Sequence, residues 1–588
     1  MSPKKLINDP DFLIEELIEG IVTTHPKLLR VEGKTKRAIV AKKGARPGKV
    51  GVVIGGGSGH EPAFACYVGQ GLADAAPIGN IFASPSPAHI IDAALSAERG
   101  EGVLFLYGNY AGDVMNFDMA TEQLGQQGID ARSFLVTDDI ASAPKERSSE
   151  RRGIAGDFFV FKVAGAASDL GLNIDAVIAA ATRANDNTRT MGVALSACSM
   201  PQTGKANFEI PEGEMEIGMG IHGEPGVARV PIETADDVTD RLLQPIVDEL
   251  KLNAGDSVAV LVNGLGSTTL LEQYLVHRRV SQTLSTKNIH IHNSWVGEYC
   301  TSLEMAGVSV TLMKLDDDLE TWLDHPCHTP ALTVGGERVR DETKPQEQSQ
   351  SQQTTPEFNG QTGGLVQDKS NLNITGHLTP TLFVAALQNI GAAIIHSKDE
   401  LCELDGVIGD GDHGITMEIG WKAILTSLDE ASDETTISEI CIKCADAFLD
   451  SVGASAGPLY ASAFNAAARA VLDRQNLDAT ATAALISAMA EGIQTRGKAS
   501  IGEKTMVDAW APASKAAILS AQQGGSIKEV AIASAQAARQ GADQTKDLVS
   551  KRGRSKVLGE RSIGHIDPGA QSAVILLGSF ASFLSSRL

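Results

Sequence analysis

The stretch KVGVVIGGGSGHEPA, residues 49–63, runs an apolar segment directly into Gly55, Gly56, Gly57, Ser58 and Gly59 and ends on His60, Glu61 and Pro62. A short apolar run closed by turn residues reads as a buried strand, and polar residues just beyond such a strand lie at the carboxyl edge of a sheet, where open α/β folds carry their sites. The loop is a poor nucleotide cradle. A G-x-G-x-x-G pattern from Gly55 needs glycine where His60 stands, and no Gly-Lys-Ser/Thr follows. It is read instead as a loop that presents His60, an imidazole able to exchange protons near neutral pH.

Two further stretches repeat the arrangement. YGNYAGDVMNF (107–117) presents Asp113 from a glycine turn, and EIGMGIHGEPG (216–226) presents His222 among glycines. Together they offer a base, an acid or orienting carboxylate, and a possible nucleophile. His290 and His292 alternate as strand residues would, and Asp157 and Asp256 are read as turn or cap carboxylates.

Around these loops, strand-like runs (GVLFLY, SFLV, TMGVALS, SVAVLV) alternate with helical periods such as NIDAVIAAATRAN, which predicts an α/β domain over residues 1–334. Residues 335–375 begin GGERVRDETKPQEQSQ, too polar to bury, and are read as a flexible linker. Residues 376–588 turn to Ala-rich helical periods, which predicts an all-α domain.

In that domain ELDGVIGDGDHGITM (403–417) packs Asp405, Asp410 and Asp412 into a short span. Such carboxylates repel one another unless a cation or open solvent intervenes, and oxygen ligands point to Mg²⁺ or Ca²⁺. An EF-hand fails, because its twelfth position from Asp410 is Trp421. Mg²⁺ with a nucleotide is the expected pairing. Loops around Ser455, around Lys504 and Thr505, and around Asp567 supply the amides and hydroxyls that phosphates use, and Lys504 a charge to offset them.

The net charge of −23, without a basic tract interleaved with aromatics, argues against nucleic acid and anionic membranes. Seven cysteines without framework spacing suit a reducing compartment, and Cys441 and Cys444 fall at helical spacing and read as core. The N-terminus lacks a signal peptide, and no apolar run approaches a membrane span. A cytoplasmic protein is expected.

These motifs in this order resemble the fused, ATP-dependent dihydroxyacetone kinases. GGGSGHEPA, NYAGDVMNF and GIHGEPG look like the ketose-domain signatures, and GDGDHG, TMVDA and DPGA like those of the ATP domain. The resemblance implies an α/β N-terminal ketose-binding domain of two lobes and an all-α C-terminal ATP-binding barrel of eight helices. It implies a homodimer whose active site joins domains of different chains. His222 would bond covalently to the substrate carbonyl, with His60 and Asp113 handling protons and Gly57, Ser58 and Gly59 lining the pocket. Asp405, Asp410 and Asp412 would hold Mg²⁺, and His413, Thr416, Ser455, Lys504, Thr505, Met506, Asp567 and Gly569 would surround ATP. The expected reaction is transfer of phosphate to a hydroxyl of a short-chain ketose, dihydroxyacetone or erythrulose.

The chain departs from the family pattern in places, the stretch APIGNIFASPSP after the first motif among them. Where the family has Lys-Asn-Tyr-Thr-Gly-Asp, this chain has Gly108 to Asp113, and the missing lysine predicts an emptied volume that admits the four-carbon ketose erythrulose. Lys504 replaces a more usual arginine. The alternative readings are a phosphotransferase-type kinase with tightly bound nucleotide and a non-catalytic sugar-binding regulator. The fused domains and intact His60, Asp113 and His222 argue against both.

Overall fold

The computed structural model describes residues 5–335, 377–428, 435–472 and 474–587. The linker expected at 335–375 lies, Gly335 apart, outside the described residues.

The N-terminal part is α/β and has two sheets, each serving one lobe. A seven-stranded sheet is ordered 29–32, 38–41, 75–81, 51–54, 103–108, 131–136, with the short strand Gly56–Ser58 paired to 75–81. Strands 51–54, 103–108 and 131–136 are parallel, so the residues leaving each of them emerge at one edge. A six-stranded sheet follows the order 228–231, 214–217, 188–196, 306–314, 257–264, 290–297 and is antiparallel except at its last pair. The two expected edge histidines, His290 and His292, do lie on strand His290–Gly297.

The C-terminal part is helical. Nine α-helices, from Pro380–His396 to Pro568–Arg587, are found among the described residues, one more than the eight expected; the additional short helix, Lys398–Ile408, bends away from its predecessor by 56°. Their starts follow from sequence. Thr379 caps a helix with Pro380 in its first turn, and Thr436/Glu439 and Ser526/Glu529 form reciprocal capping boxes. The apolar faces meet in one core around Trp421, Phe448, Tyr460 and Trp510. Burying a side chain such as Phe448 contributes about 1.5–3 kcal/mol. Cys441 and Cys444 are fully buried in this core, as their spacing indicates.

One helix bears on the membrane expectation, although Gln571, Ser572, Ser579 and Ser582 interrupt its apolar run. Helix Pro568–Arg587, at a mean hydropathy of 1.3, is long and apolar enough to cross a membrane by length and composition. Its Val574, Leu577, Phe580 and Leu584 are buried in the helical core.

The two parts meet directly within the chain. Helix Ala111–Gln126, which carries Asp113, packs on helix Ala456–Ala470. Asn116 Nδ2 donates to the Gly453 carbonyl across this contact. Gly453 lies so close to the other domain that a Cβ there would collide with the Ser84 carbonyl oxygen.

Candidate active site

His60 follows strand Gly56–Ser58 after a turn at Gly59 (φ +98°), a conformation that favours glycine. Gly57 has no room for a side chain either, since a Cβ would stand 2.7 Å from the Ala83 nitrogen. This closeness lets loop 79–83 lie on the glycine turn. Phe82 N donates to the Ser58 carbonyl (2.9 Å), and the Ser58 hydroxyl donates to the Gly79 carbonyl (2.8 Å). Ser58 is therefore committed to the loop, and any contact that residues 57–59 offer a ligand comes from backbone.

The hairpin between strands 214–217 and 228–231 carries His222 from the other lobe to His60, and the two Nε2 atoms stand 3.1 Å apart. Their protons can be placed from their other partners. His60 Nδ1 lies 2.8 Å from the Thr301 carbonyl, which can only accept, so the ring proton is on Nδ1. His222 Nδ1 lies 2.9 Å from a Glu224 carboxylate oxygen, and the other oxygen accepts from the His222 amide at 3.0 Å. Burial pushes Glu224 up, but His222 and then Arg152 outweigh it and hold the carboxyl below its usual range. With Glu224 ionised, the His222 proton also sits on Nδ1. Burial pushes His60 down to about 3 and lowers His222 as well. Both rings are thus neutral, and their two Nε2 lone pairs face each other at 3.1 Å, so the rings must part before a carbonyl carbon can reach either one.

Asp113 lies in the first turn of helix Ala111–Gln126, is buried, and has no hydrogen-bond partner for Oδ1. Burial raises its pKa to about 7, against smaller opposing effects of Ser84 and Arg554. A carboxyl poised there serves as a base near neutral pH. Asp256 is the loop carboxylate expected, accepting from Asn253 N and Lys314 Nζ. Asp157 differs: it is 4% exposed, its Oδ1 is unpartnered, and burial pushes it well above the usual carboxylate range.

Gly108 leaves no void. A Cβ there would meet the Gly153 carbonyl oxygen at 3.0 Å and Tyr110 Cε2 at 3.1 Å, so the Gly153 backbone and the Tyr110 ring occupy the space beside Gly108. The expected emptied volume is corrected accordingly.

A cavity of about 590 Å³ opens between the domains, lined by Asp113, Tyr110, Arg152 and Glu224 on one side. Every expected nucleotide residue lines the other: His413, Thr416, Ser455 and Lys504, with Thr505, Met506, Asp567 and Gly569. Both walls come from one chain, so domain exchange is not needed to close the cavity. His413 Nε2 pairs with Ser572 Oγ at 3.0 Å, and burial raises Asp567 to about 7. Lys504 Nζ is bound by the carbonyls of Thr545 and His565, each at 2.6 Å. It ties two loops together, where the sequence suggested a phosphate ligand.

Asp405, Asp410 and Asp412 are buried and bring one carboxylate oxygen each within 4.8 Å of the others. Asp405 Oδ2 accepts from the Asp412 and His413 amides, which fixes the loop, while Asp410 Oδ2 and Asp412 Oδ2 face the Arg554 guanidinium. Three buried carboxylates this close, set against a single guanidinium, fit a hard divalent cation.

Sequence reading missed Arg554. Its guanidinium pairs with Asp410, lies 3.5 Å from Asp412, and donates through Nη2 to the Phe82 carbonyl at 3.1 Å. Phe82 in turn stacks on His60 (5.2 Å between centroids) and meets His222 edge-on (5.3 Å). The available signal was the basic run KRGR at 551–554 in an otherwise acidic chain.

A Dak1 domain matches residues 19–331, more than half of the chain, and a DAK2 domain matches residues 407–582. The chain belongs to the dihydroxyacetone kinase family. It is 38% identical to an L-erythrulose kinase of Pectobacterium atrosepticum over 99% of this chain and 96% of that protein. It is 37% identical to an L-erythrulose 1-kinase of Mycolicibacterium smegmatis over 99% of each. The dihydroxyacetone kinase of C. freundii, solved with AMP-PNP and Mg²⁺, matches 99% of both chains with a TM-score of 0.53 at 25% identity. Like other members of the dihydroxyacetone kinase family, the protein is a phosphotransferase with an alcohol group as acceptor.

Proposed function

We propose that this enzyme phosphorylates a short-chain ketose with ATP, holding the sugar covalently on His222, and that erythrulose is preferred over dihydroxyacetone. The observation that carries the reading is the placement of protons on both Nδ1 atoms, which leaves the His222 Nε2 lone pair free. That lone pair adds to the sugar carbonyl, forming an N–C bond and moving the C=O π pair onto oxygen. Net, His222 loses its Nδ1 proton, which Glu224 is placed to accept, and the former carbonyl oxygen gains one from solvent, since the His60 proton is on Nδ1 toward Thr301. An alcohol carbon has no such acceptor, so glycerol is excluded.

Asp113 then takes the proton of the sugar hydroxyl as its oxygen bonds to the terminal phosphorus of ATP and the bond from that phosphorus to ADP breaks. Mg²⁺, which neutralises phosphate charge when bound, would be held by Asp405, Asp410 and Asp412. Residues of the helical wall orient the nucleotide, and Arg554 stands at the junction as a second positive charge. The erythrulose preference rests on the relatives that carry that name. The unpaired cysteines and net charge support a cytoplasmic location. A homodimer with exchanged domains would present the same two faces from different chains. Mixing His222→Ala with Asp410→Ala distinguishes the cases, because only exchange restores activity.

The test has two arms. A panel of three- and four-carbon ketoses and aldoses gives kcat/KM, and the ¹³C signal of a carbonyl-labelled ketose reads the adduct. The bound carbonyl is expected to move from the ketone to the sp³ region, and a retained ketone signal would falsify covalent capture.

A further inference from the structure

We infer that the Tyr110 hydroxyl and Arg152 Nη1 form a seat for the additional hydroxyl of a four-carbon ketose and so determine specificity. This rests on the proposal that the sugar is held at His222.

Both groups line the cavity between the domains, and both lack a hydrogen-bond partner in the protein. Arg152 is 7% exposed. Its Nε and Nη2 are satisfied by Asp139 and by the Gly218 carbonyl, while Nη1 lies 3.9 Å from Glu224 and bonds to nothing. A buried guanidinium with one free corner is a costly arrangement unless a ligand completes it. Tyr110 stands edge-on to the His222 ring with centroids 4.7 Å apart, so its hydroxyl is carried by the ring that adjoins the carbonyl-capturing imidazole.

Gly108 sets this position. Because residue 108 has no Cβ, the Tyr110 ring rests 3.1–3.3 Å from where one would be. Any side chain there forces the ring to give way by some tenths of an ångström. The departure from the family's lysine therefore acts through where the Tyr110 ring lies, the tyrosine itself being shared with the family pattern. Dihydroxyacetone, with one carbon and one hydroxyl fewer, leaves the two donors without a partner, and an unmet buried donor counts against the smaller sugar.

Tyr110→Phe is the cleanest probe, since it deletes a hydroxyl that bonds to nothing in the protein. The ratio of kcat/KM for erythrulose to that for dihydroxyacetone is expected to fall roughly tenfold. Gly108→Ala, which displaces the ring, is expected to lower the same ratio. A purely structural role reduces both sugars alike, so an unchanged ratio in both variants overturns the seat. If the wild-type enzyme shows no carbonyl adduct with either sugar, the His222 reading falls first and the seat with it. An adduct in the wild type with an unchanged ratio in the variants removes the seat alone.

Discussion

Arg554 and Phe82 belong to different domains, yet Arg554 Nη2 donates a 3.1 Å hydrogen bond to the Phe82 carbonyl while the same guanidinium reaches the Asp410 and Asp412 carboxylates. The Phe82 ring covers the His60 and His222 imidazoles, and its backbone is held at φ +56°, a left-handed conformation uncommon for a bulky residue. One side chain thus connects the acidic cluster to the cover of the two imidazoles.

Replacing Arg554 by Ala is expected to lower kcat by roughly 10²- to 10³-fold, because a cation aimed at developing phosphate charge is lost. The KM for the ketose should shift as well, through the freed Phe82 loop. Steady-state kinetics with both substrates varied check this, and an unchanged kcat contradicts the role.

Glu224→Gln keeps the shape of the His222 partner but removes the charge that pins the proton on Nδ1. By analogy with orienting carboxylates elsewhere, the loss in kcat/KM is expected to be roughly 10²- to 10⁴-fold. The ¹³C signal of the bound sugar should revert toward the ketone in the same variant.

The Asp113 carboxyl, raised to about 7, gives a defined pH signature. As a base it must be ionised, so kcat/KM is expected to rise with pH through about 7, and Asp113→Asn should abolish that limb with most of the activity. Stability runs the other way. A carboxyl whose folded pKa exceeds its unfolded value binds its proton more tightly when folded, so it stabilises at low pH and loses that contribution as pH rises through about 7. Thermal unfolding at pH 8 should therefore show Asp113→Asn more stable than the wild type.

Mg²⁺ alone, without nucleotide, is expected to raise the melting temperature by relieving the repulsion among Asp405, Asp410 and Asp412. At a hundred times its dissociation constant a ligand adds about 2.7 kcal/mol. Asp410→Asn should abolish the shift, and equal shifts in both proteins would show that the metal binds elsewhere.

Much of this site was legible in the chain because its parts are local. His60, Asp113 and His222 each follow a strand through glycines, and Asp405, Asp410 and Asp412 crowd one loop, so punctuation and charge reveal them. Arg554, Glu224 and Arg152 were not singled out, since their roles arise across lobes and domains that only folding brings together. Gly108 misled for a different reason. Counting a missing side chain as empty space ignores that interiors pack to near-crystal density, and here the Gly153 backbone and the Tyr110 ring stand beside Gly108. Lys504 misled because an ammonium near phosphate loops satisfies backbone carbonyls equally well.

Gly453 does not line the cavity between the domains, yet its missing methyl is what allows one domain to close on the Ser84 carbonyl of the other. It behaves as a zero-thickness shim. Adding even one carbon would prop the halves apart, so how closely the two walls of the cavity approach depends on a residue that belongs to neither wall.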